Sequence, residues 1–228
     1  MEILQGVANK KDTASYLTKS LFVNGSQCSK KLWLSAYKLD LVQYSEASRE
    51  NMQQGTDFGK EAQRLFPGGV EIPYESNQQM LDSTAQLLHD GSSTIYEATF
   101  CYNNIVVRAD ILHRSDAGWE MYEVKKAGKV KPYHLVDLAL QYYVLVNCGI
   151  PLVKACLILV DWAALKKGAL APEYFKINDQ AGIIKQMQER IEEQVPEMRD
   201  VLRGEEPLVA KGEQCVIPFE CPFNHYCE

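Results

Sequence analysis

Apolar and polar positions along the chain change period near residue 93. Before that point the spacing is helical. Residues 18–37, TKSLFVNGSQCSKKLWLSAY, predict a helix, a break at Asn24-Gly25 and a second helix. Residues 45–66 predict a longer helix with Met52, Phe58, Ala62, Leu65 and Phe66 on or near one face, stopped by Pro67-Gly68-Gly69. Residues 77–90 predict another, ending at Gly91. The period then becomes two. Residues 94–102 (TIYEATFCY), 105–114 (IVVRADILHR) and 118–125 (GWEMYEVK) predict three strands of a meander, with Asn103-Asn104 and Ser115-Asp116-Ala117 as turns. Residues 133–148 predict an apolar-rich helix, 152–161 a buried strand, and 179–203 an amphipathic helix kinked at Pro196. The stretch 204–228 has little period and three cysteines.

This order predicts an α/β (α+β) fold, with a β-β-β-α-β core forming a mixed central sheet flanked by helices. Three regions are expected: a helical region over 1–92 with one cysteine of interest, the core over 93–203, and a cysteine-rich closing segment over 204–228.

Charge narrows the partners. The 228 residues carry 24 Lys+Arg against 30 Asp+Glu, a net charge of −6, which excludes a histone-like or basic-tail nucleic-acid binder. An enzyme needs only a local basic track. Residues 1–38 hold six lysines against Glu2 and Asp12, and 125–134 (KKAGKVKPYH) hold four lysines and no acid. A bound polyanion is expected on these segments, at Lys126, Lys129, Lys131, Lys30 and Lys31. No run of 18 apolar residues spans a membrane, and the first residues, MEILQGVANKKD, have no apolar signal region. A cytoplasmic location without membrane partners is the expectation.

Candidate chemistry centres on Asp110, Glu123 and Lys125, in the strings RAD and EVK. Glu123 and Lys125 are two apart on a strand and share a face. If the turn is centred between Asp116 and Ala117, opposed residue numbers add to 233, which sets Asp110 across from Glu123, roughly 5 Å apart at Cβ. Carboxylates that close repel unless a cation lies between them, and a hard divalent ion such as Mg²⁺ prefers such oxygens. A lysine beside them can orient a water or stabilise a developing oxyanion. A solvent-facing hairpin would show the same alternation of charge.

Cysteine supplies the second pattern. The chain has seven, an odd number that argues against a complete disulfide framework. Cys101 and Cys156 fall in predicted strands and Cys148 ends a helix, where small buried hydrophobes are expected. Cys28, Cys215, Cys221 and Cys227 stand outside that periodicity. One early and three late cysteines can supply four thiolates to a [4Fe–4S] cluster or to zinc.

The combination is specific. VVRAD, a short turn, GWEMYEVKKA and a helix with Gln141 and Tyr142-Tyr143 resemble the PD-(D/E)xK nuclease superfamily, RecB-like branch. SLFVNGSQCSKKLWL and GEQCVIPFECPFNHYC resemble the entry helix and closing clasp of its iron–sulfur members, such as the CRISPR-associated adaptation exonucleases and a bacterial relative of them. The resemblance covers about residues 16–228. It implies a restriction-endonuclease-like fold, metal ligation by Asp110, Glu123 and the Val124 carbonyl, and catalytic roles for Lys125, Gln141 and a tyrosine, Tyr143 in preference to Tyr142. It also implies a structural [4Fe–4S] cluster on Cys28, Cys215, Cys221 and Cys227. Two departures stand out. The group carries Gly-x-x-x-His on an early helix, where this chain has Gly59-Lys-Glu-Ala-Gln63, leaving Glu61 or Glu97 as substitute ligands. Its closing clasp has a C-x2-C step, where this chain has five residues between Cys215 and Cys221.

The expectation is therefore a Mg²⁺- or Mn²⁺-dependent deoxyribonuclease acting on single-stranded DNA ends, in DNA repair or CRISPR adaptation. The alternatives are a weakly active or inactive iron–sulfur DNA-binding subunit of a larger protein complex, and a zinc-stabilised RNA-processing nuclease.

Overall fold

The first two helices part at Cys28 rather than at Asn24-Gly25. The structure is a computed structural model describing residues 16–227. After a two-residue strand β1 (Leu17–Thr18), α1 runs over Lys19–Gln27 and α2 over Ser29–Tyr37. Thr18 caps α1, its hydroxyl accepting from Leu21 N. Asn-Gly is a turn signal, but Gly25 lies inside α1 for a packing reason. A Cβ there would come within 2.9 Å of Met198 Sδ and 3.0 Å of Leu32 Cδ2. The residue permits a close approach and does not end the helix.

These helices belong to one of two compact units, formed by the described residues on both sides of Ser45–Glu192; that central stretch is the other unit. The sequence boundaries at 92/93 and 203/204 mark changes of period and of cysteine content, whereas compactness parts the chain at 44/45 and 192/193. In the first unit Leu34, Cys221 and Phe223 form an apolar cluster with Trp33, Leu41 and Val42. The Tyr37 hydroxyl donates to Leu202 O at 2.5 Å and Trp33 Nε1 to Gly204 O at 3.1 Å.

The second unit opens with α3 (Glu46–Ala62), capped by Ser45, and then β2 (Val70–Glu71). Next come α4 (Asn77–His89), with a Ser76/Gln79 capping box, and the meander β3 (Thr94–Tyr102), β4 (Ile105–Ser115) and β5 (Gly118–Val124). Asn103 and Asn104 both take positive φ, as a two-residue hairpin turn requires. Helix α5 (Pro132–Asn147) follows, with Pro at its first position, then β6 (Leu152–Val160), α6 (Trp162–Lys166), β7 (Phe175–Asp179) and α7 (Ala181–Gln186). Helix α8 (Gln188–Arg203) passes into the first unit. The helical pattern of 179–203 is interrupted at Met187, while Pro196 lies inside α8.

The strands run in the order β2-β3-β4-β5-β6-β7. The pairs β2/β3 and β5/β6 are parallel and the others antiparallel, so the sheet is mixed, as expected. The predicted β4/β5 register holds from Ser115↔Gly118 to Ile111↔Tyr122. A parallel pair needs a crossover, and α5 supplies it between β5 and β6. The crossover lays α5 against β3, β4 and β6. On the sheet, Ala62, Tyr96, Ile111, Tyr122, Cys156 and Ile158 form a core cluster. Among the described residues no helix is long and apolar enough to cross a membrane.

Candidate active site

Strand β5 delivers Glu123 and Lys125 to the ground beneath α5. Glu123 is the penultimate residue of the strand, and Lys125 extends its pairing, with Lys125 N donating to Ile158 O at 2.9 Å. The two side chains meet: Lys125 Nζ lies 2.7 Å from Glu123 Oε1. The same ammonium lies 2.5 Å from Asp137 Oδ2, on α5. Gln141, one turn later on that helix, donates from Nε2 to Glu123 Oε2 at 2.8 Å and to Asp137 Oδ1 at 3.0 Å. The four side chains thus close a ring. Glu123, Asp137 and Gln141 are 2%, 5% and 0% exposed, while Lys125 is half-buried and is the member of the ring that solvent reaches.

Asp110 stands beside it. The β4/β5 ladder stops at Ile111↔Tyr122, and the Asp110 carboxylate takes the next donor, accepting from Val124 N at 2.7 Å. Burial works to lower the Lys125 pKa, but Asp137, Glu123 and Asp110 outweigh it and hold the ammonium well above its ordinary value. Lys125 is therefore a fixed positive charge among three carboxylates. One atom of the ring is unsatisfied: Gln141 Oε1 is buried and has no hydrogen-bond partner. The carboxylates take both of the amide's donor directions, and its acceptor remains open. A cluster of hard oxygens with an excess of negative charge is the donor set that Mg²⁺ or Mn²⁺ uses. In the geometry described, no three His, Cys, Asp or Glu side chains among the described residues are arranged to hold a metal ion.

Asp137 and His134 were not singled out in the sequence. His134 is 3% exposed, and burial, then Lys125 and Lys131, lower its pKa to about 4, against a smaller opposing effect of Glu123. The signal available was the spacing 134, 137, 141: three polar residues on one stripe of an otherwise apolar helix.

The other candidates distribute as follows. Tyr143 packs edge-on against Tyr102, ring centroids 5.7 Å apart, and Tyr142 is buried. Gln63 follows α3, its carbonyl accepting from the Tyr96 hydroxyl at 3.2 Å. Glu61 accepts from the Tyr174 hydroxyl, and Glu97, at a positive φ of 60° within β3, lies 3.4 Å from Arg108 Nη2. Lys129 and Lys131 are exposed, and Lys126 is exposed with Nζ on Gln54 Oε1. Lys10 and Lys11 lie outside the described residues. Lys30 pairs with Glu206 at 3.1 Å. Lys31 is 3% exposed, lies 2.7 Å from Gln27 Oε1 and stands over the Phe219 ring. Burial lowers its pKa to about 8, opposed by Cys221 and Cys28. Phosphate contact needs an exposed ammonium, so Lys31 is corrected from a track residue to an interior one.

The four outer cysteines all fall in the first unit. Cys28 separates α1 and α2, Cys215 ends a short helical turn, and Cys221 N donates to Cys215 O at 2.8 Å. Gln27 braces this loop, its Nε2 donating to Gln214 O at 2.7 Å and Phe219 O at 2.8 Å. Burial raises the Cys227 thiol; Lys30 opposes this, and the nearness of Cys215 and Cys28 adds to it. Burial likewise raises Cys221, with Cys215 and Cys227 adding to the rise while Phe223 N and Lys31 oppose it. These thiols share one unit, but, as at the carboxylates, no three of them are arranged to hold a metal ion in this structure. Four thiolates are a ligand type common to [4Fe–4S] and zinc, so residue type alone does not choose between them. Of the remaining three, Cys156 is buried as expected, whereas Cys101 is only half-buried and Cys148 is exposed, its thiol donating to Cys101 O at 3.3 Å.

No protein-family model and no curated protein matches the chain. Among solved structures it is similar to a crystal structure of SSO0001, at 14% sequence identity over 81% of this chain and 84% of that one, with a TM-score of 0.35.

Proposed function

We propose that the protein is a metal-dependent deoxyribonuclease of the PD-(D/E)xK, RecB-like kind, hydrolysing phosphodiesters at single-stranded DNA ends with Mg²⁺ or Mn²⁺. The observation that carries this reading is the largely buried ring of Glu123, Lys125, Asp137 and Gln141 with Asp110 at its side. Asp110, Glu123 and the Val124 carbonyl are the residues that would hold the ion. When bound, a divalent cation supplies positive charge against the charge that builds on the phosphate.

The chain's own residues supply the rest. Lys125, held among the Asp137, Glu123 and Asp110 carboxylates, is placed to act as a hydrogen-bond donor and positive charge toward the attacking water or a phosphate oxygen. Asp137 fixes where that ammonium stands. Gln141 keeps the Glu123 and Asp137 carboxylates side by side by donating to both. The one-plus-three placement of Cys28, Cys215, Cys221 and Cys227 and the sequence resemblance support a structural [4Fe–4S] cluster in the same protein, with zinc as the competing occupant. A role in DNA repair or CRISPR adaptation, within a larger complex, rests on the sequence resemblance.

The test is cleavage of end-labelled single- and double-stranded DNA with Mg²⁺, Mn²⁺ or EDTA, by wild-type protein and by Asp110→Ala, Glu123→Ala and Lys125→Ala. Wild type should cut in either metal and stop in EDTA, and each variant should be inactive. Wild-type rates in any of the three would overturn the site. Iron and sulfide analysis of anaerobically purified protein separates a cluster from zinc.

A further inference from the structure

We propose that Trp162 is a nucleobase-stacking platform that, with the lysines of the loop after β5, holds a single DNA strand beside the carboxylate–lysine ring. The proposal builds on the nuclease reading and assigns it a substrate-binding residue.

Trp162 opens α6, two residues past the end of β6, and 42% of it is exposed. A tryptophan normally gains most by burying its large ring, so one left half in water is a candidate for a contact made with something else. One edge of the ring is seated against the backbone: the pyrrole edge of the indole lies against Gly128. A Cβ at that position would come within 2.6 Å of Trp162 Cδ1 and 2.8 Å of Nε1, so only glycine lets the backbone meet the ring so closely. The residue before it, Asp161, caps α6, accepting from Ala163 N at 2.9 Å and Ala164 N at 3.1 Å, and pairs with Lys176 at 2.9 Å, which anchors the backbone that bears the ring. The ring is held before any ligand arrives, which spares the ligand the entropy of ordering it.

The seat is part of the catalytic strand's continuation. Lys125 N donates to Ile158 O, Ala127 N to Lys125 O, and Val160 N to Ala127 O. Residues 125–128 therefore run beside the end of β6, which leads into Trp162. Gly128 is three residues beyond Lys125, a reach of at most about 11 Å. A base resting on Trp162 would lie within a few nucleotides of the ring.

The surrounding charge selects the ligand. Past Lys125 the loop carries Lys126, Lys129 and Lys131, and no acidic residue occurs between Val124 and Asp137. Lys129 and Lys131 are exposed. A half-exposed indole seated against a lysine-rich loop matches a single strand, which alternates π-faces with phosphates. A duplex keeps its bases stacked on one another and offers the indole none except at an end.

The experiment reads equilibrium binding in EDTA, where no cutting occurs, to oligothymidylate and to an abasic sugar–phosphate strand of equal length. Wild type, Trp162→Phe and Trp162→Ala are compared. Wild type should bind oligothymidylate more tightly than the abasic strand, with quenching of tryptophan fluorescence. Trp162→Ala should weaken oligothymidylate binding roughly 5- to 100-fold and leave abasic binding unchanged. Trp162→Phe, which keeps a π-face, should restore most of the loss. Wild-type affinity for oligothymidylate in Trp162→Ala, or an equal loss for both strands, overturns the platform while metal-dependent cleavage by wild type would keep the nuclease reading. A wild-type protein that neither binds nor cuts any strand overturns both.

Discussion

Lys125 is held from two directions. Glu123 precedes it by two residues, and Asp137 reaches it from a helix twelve residues later. The first contact was legible, because residues two apart on a strand share a face. The second was not, because it depends on how the β5–α5–β6 crossover lays the helix down. The neighbouring lysines 30 and 31 show the same limit. In sequence they are one basic pair, yet Lys31 shares a helical face with Gln27 and the buried Leu34 and goes inside, while Lys30 pairs with Glu206 at 3.1 Å. The folded pKa of Lys125 lies above its unfolded value of about 10.5, so the stability it contributes is complete below that pH and is lost only as pH rises through the raised value. Its partner Asp137 gives the sharper prediction. If Glu123 turns toward a cation, Asp137 is the carboxylate that still fixes the ammonium. Asp137→Asn keeps the shape and a hydrogen-bond acceptor but removes the charge. It should lower kcat about 10- to 100-fold, the scale of a misplaced catalytic group, with KM within about twofold. Steady-state kinetics on end-labelled single strands, with a urea melt to confirm folding, give the answer. A wild-type kcat would remove Asp137 from the site.

Among the elements, the meander was the most legible and the last strand the least. Strands 94–102, 105–114 and 118–125 alternate over their length and carry their own turns, so local sequence sets both their limits and their register. β7 has five residues and pairs only with β6, at the sheet's edge. Its extended form comes from that non-local pairing, and neither it nor α6 was expected. In α5 the helix was legible and its buried polar stripe was overlooked among apolar neighbours. That stripe has a measurable consequence. His134 Nδ1 accepts from Lys131 N at 3.3 Å, and the folded pKa of about 4 lies below the ordinary 6.5. The folded state therefore binds fewer protons at His134 than the unfolded state does between those values. His134 contributes its full stability above about pH 6.5 and loses it as pH falls toward 4, by up to about 3 kcal/mol. Replacing it with glutamine preserves an acceptor without the titration. The difference in unfolding free energy between pH 7 and pH 5 should be smaller in His134→Gln than in wild type; equal differences would show that His134 carries no such shift.

At the largest scale, the described residues on both sides of Ser45–Glu192 form one unit, and cysteine occurs in both of its segments. The one-plus-three placement is legible in the sequence, whereas the contacts around it are not: the Gln27 brace and the Leu34–Cys221–Phe223 cluster join residues nearly the whole chain apart. A metal-held closure of that length removes unfolded-chain entropy worth about 5 kcal/mol in the loop-closure picture, before strain and residual structure reduce it. Cys28→Ser breaks the single link on the N-terminal side. It should abolish the bound metal and lower the thermal midpoint by several degrees, with the transition becoming insensitive to chelator. Cys148→Ser is the matched control, since Cys148 is exposed and lies in the other unit; it should keep both metal and midpoint. Metal analysis and thermal melts of the two variants, each with and without chelator, separate the possibilities. If Cys28→Ser retains full metal and the wild-type midpoint, the closure does not run through Cys28, and the three C-terminal cysteines must act without it.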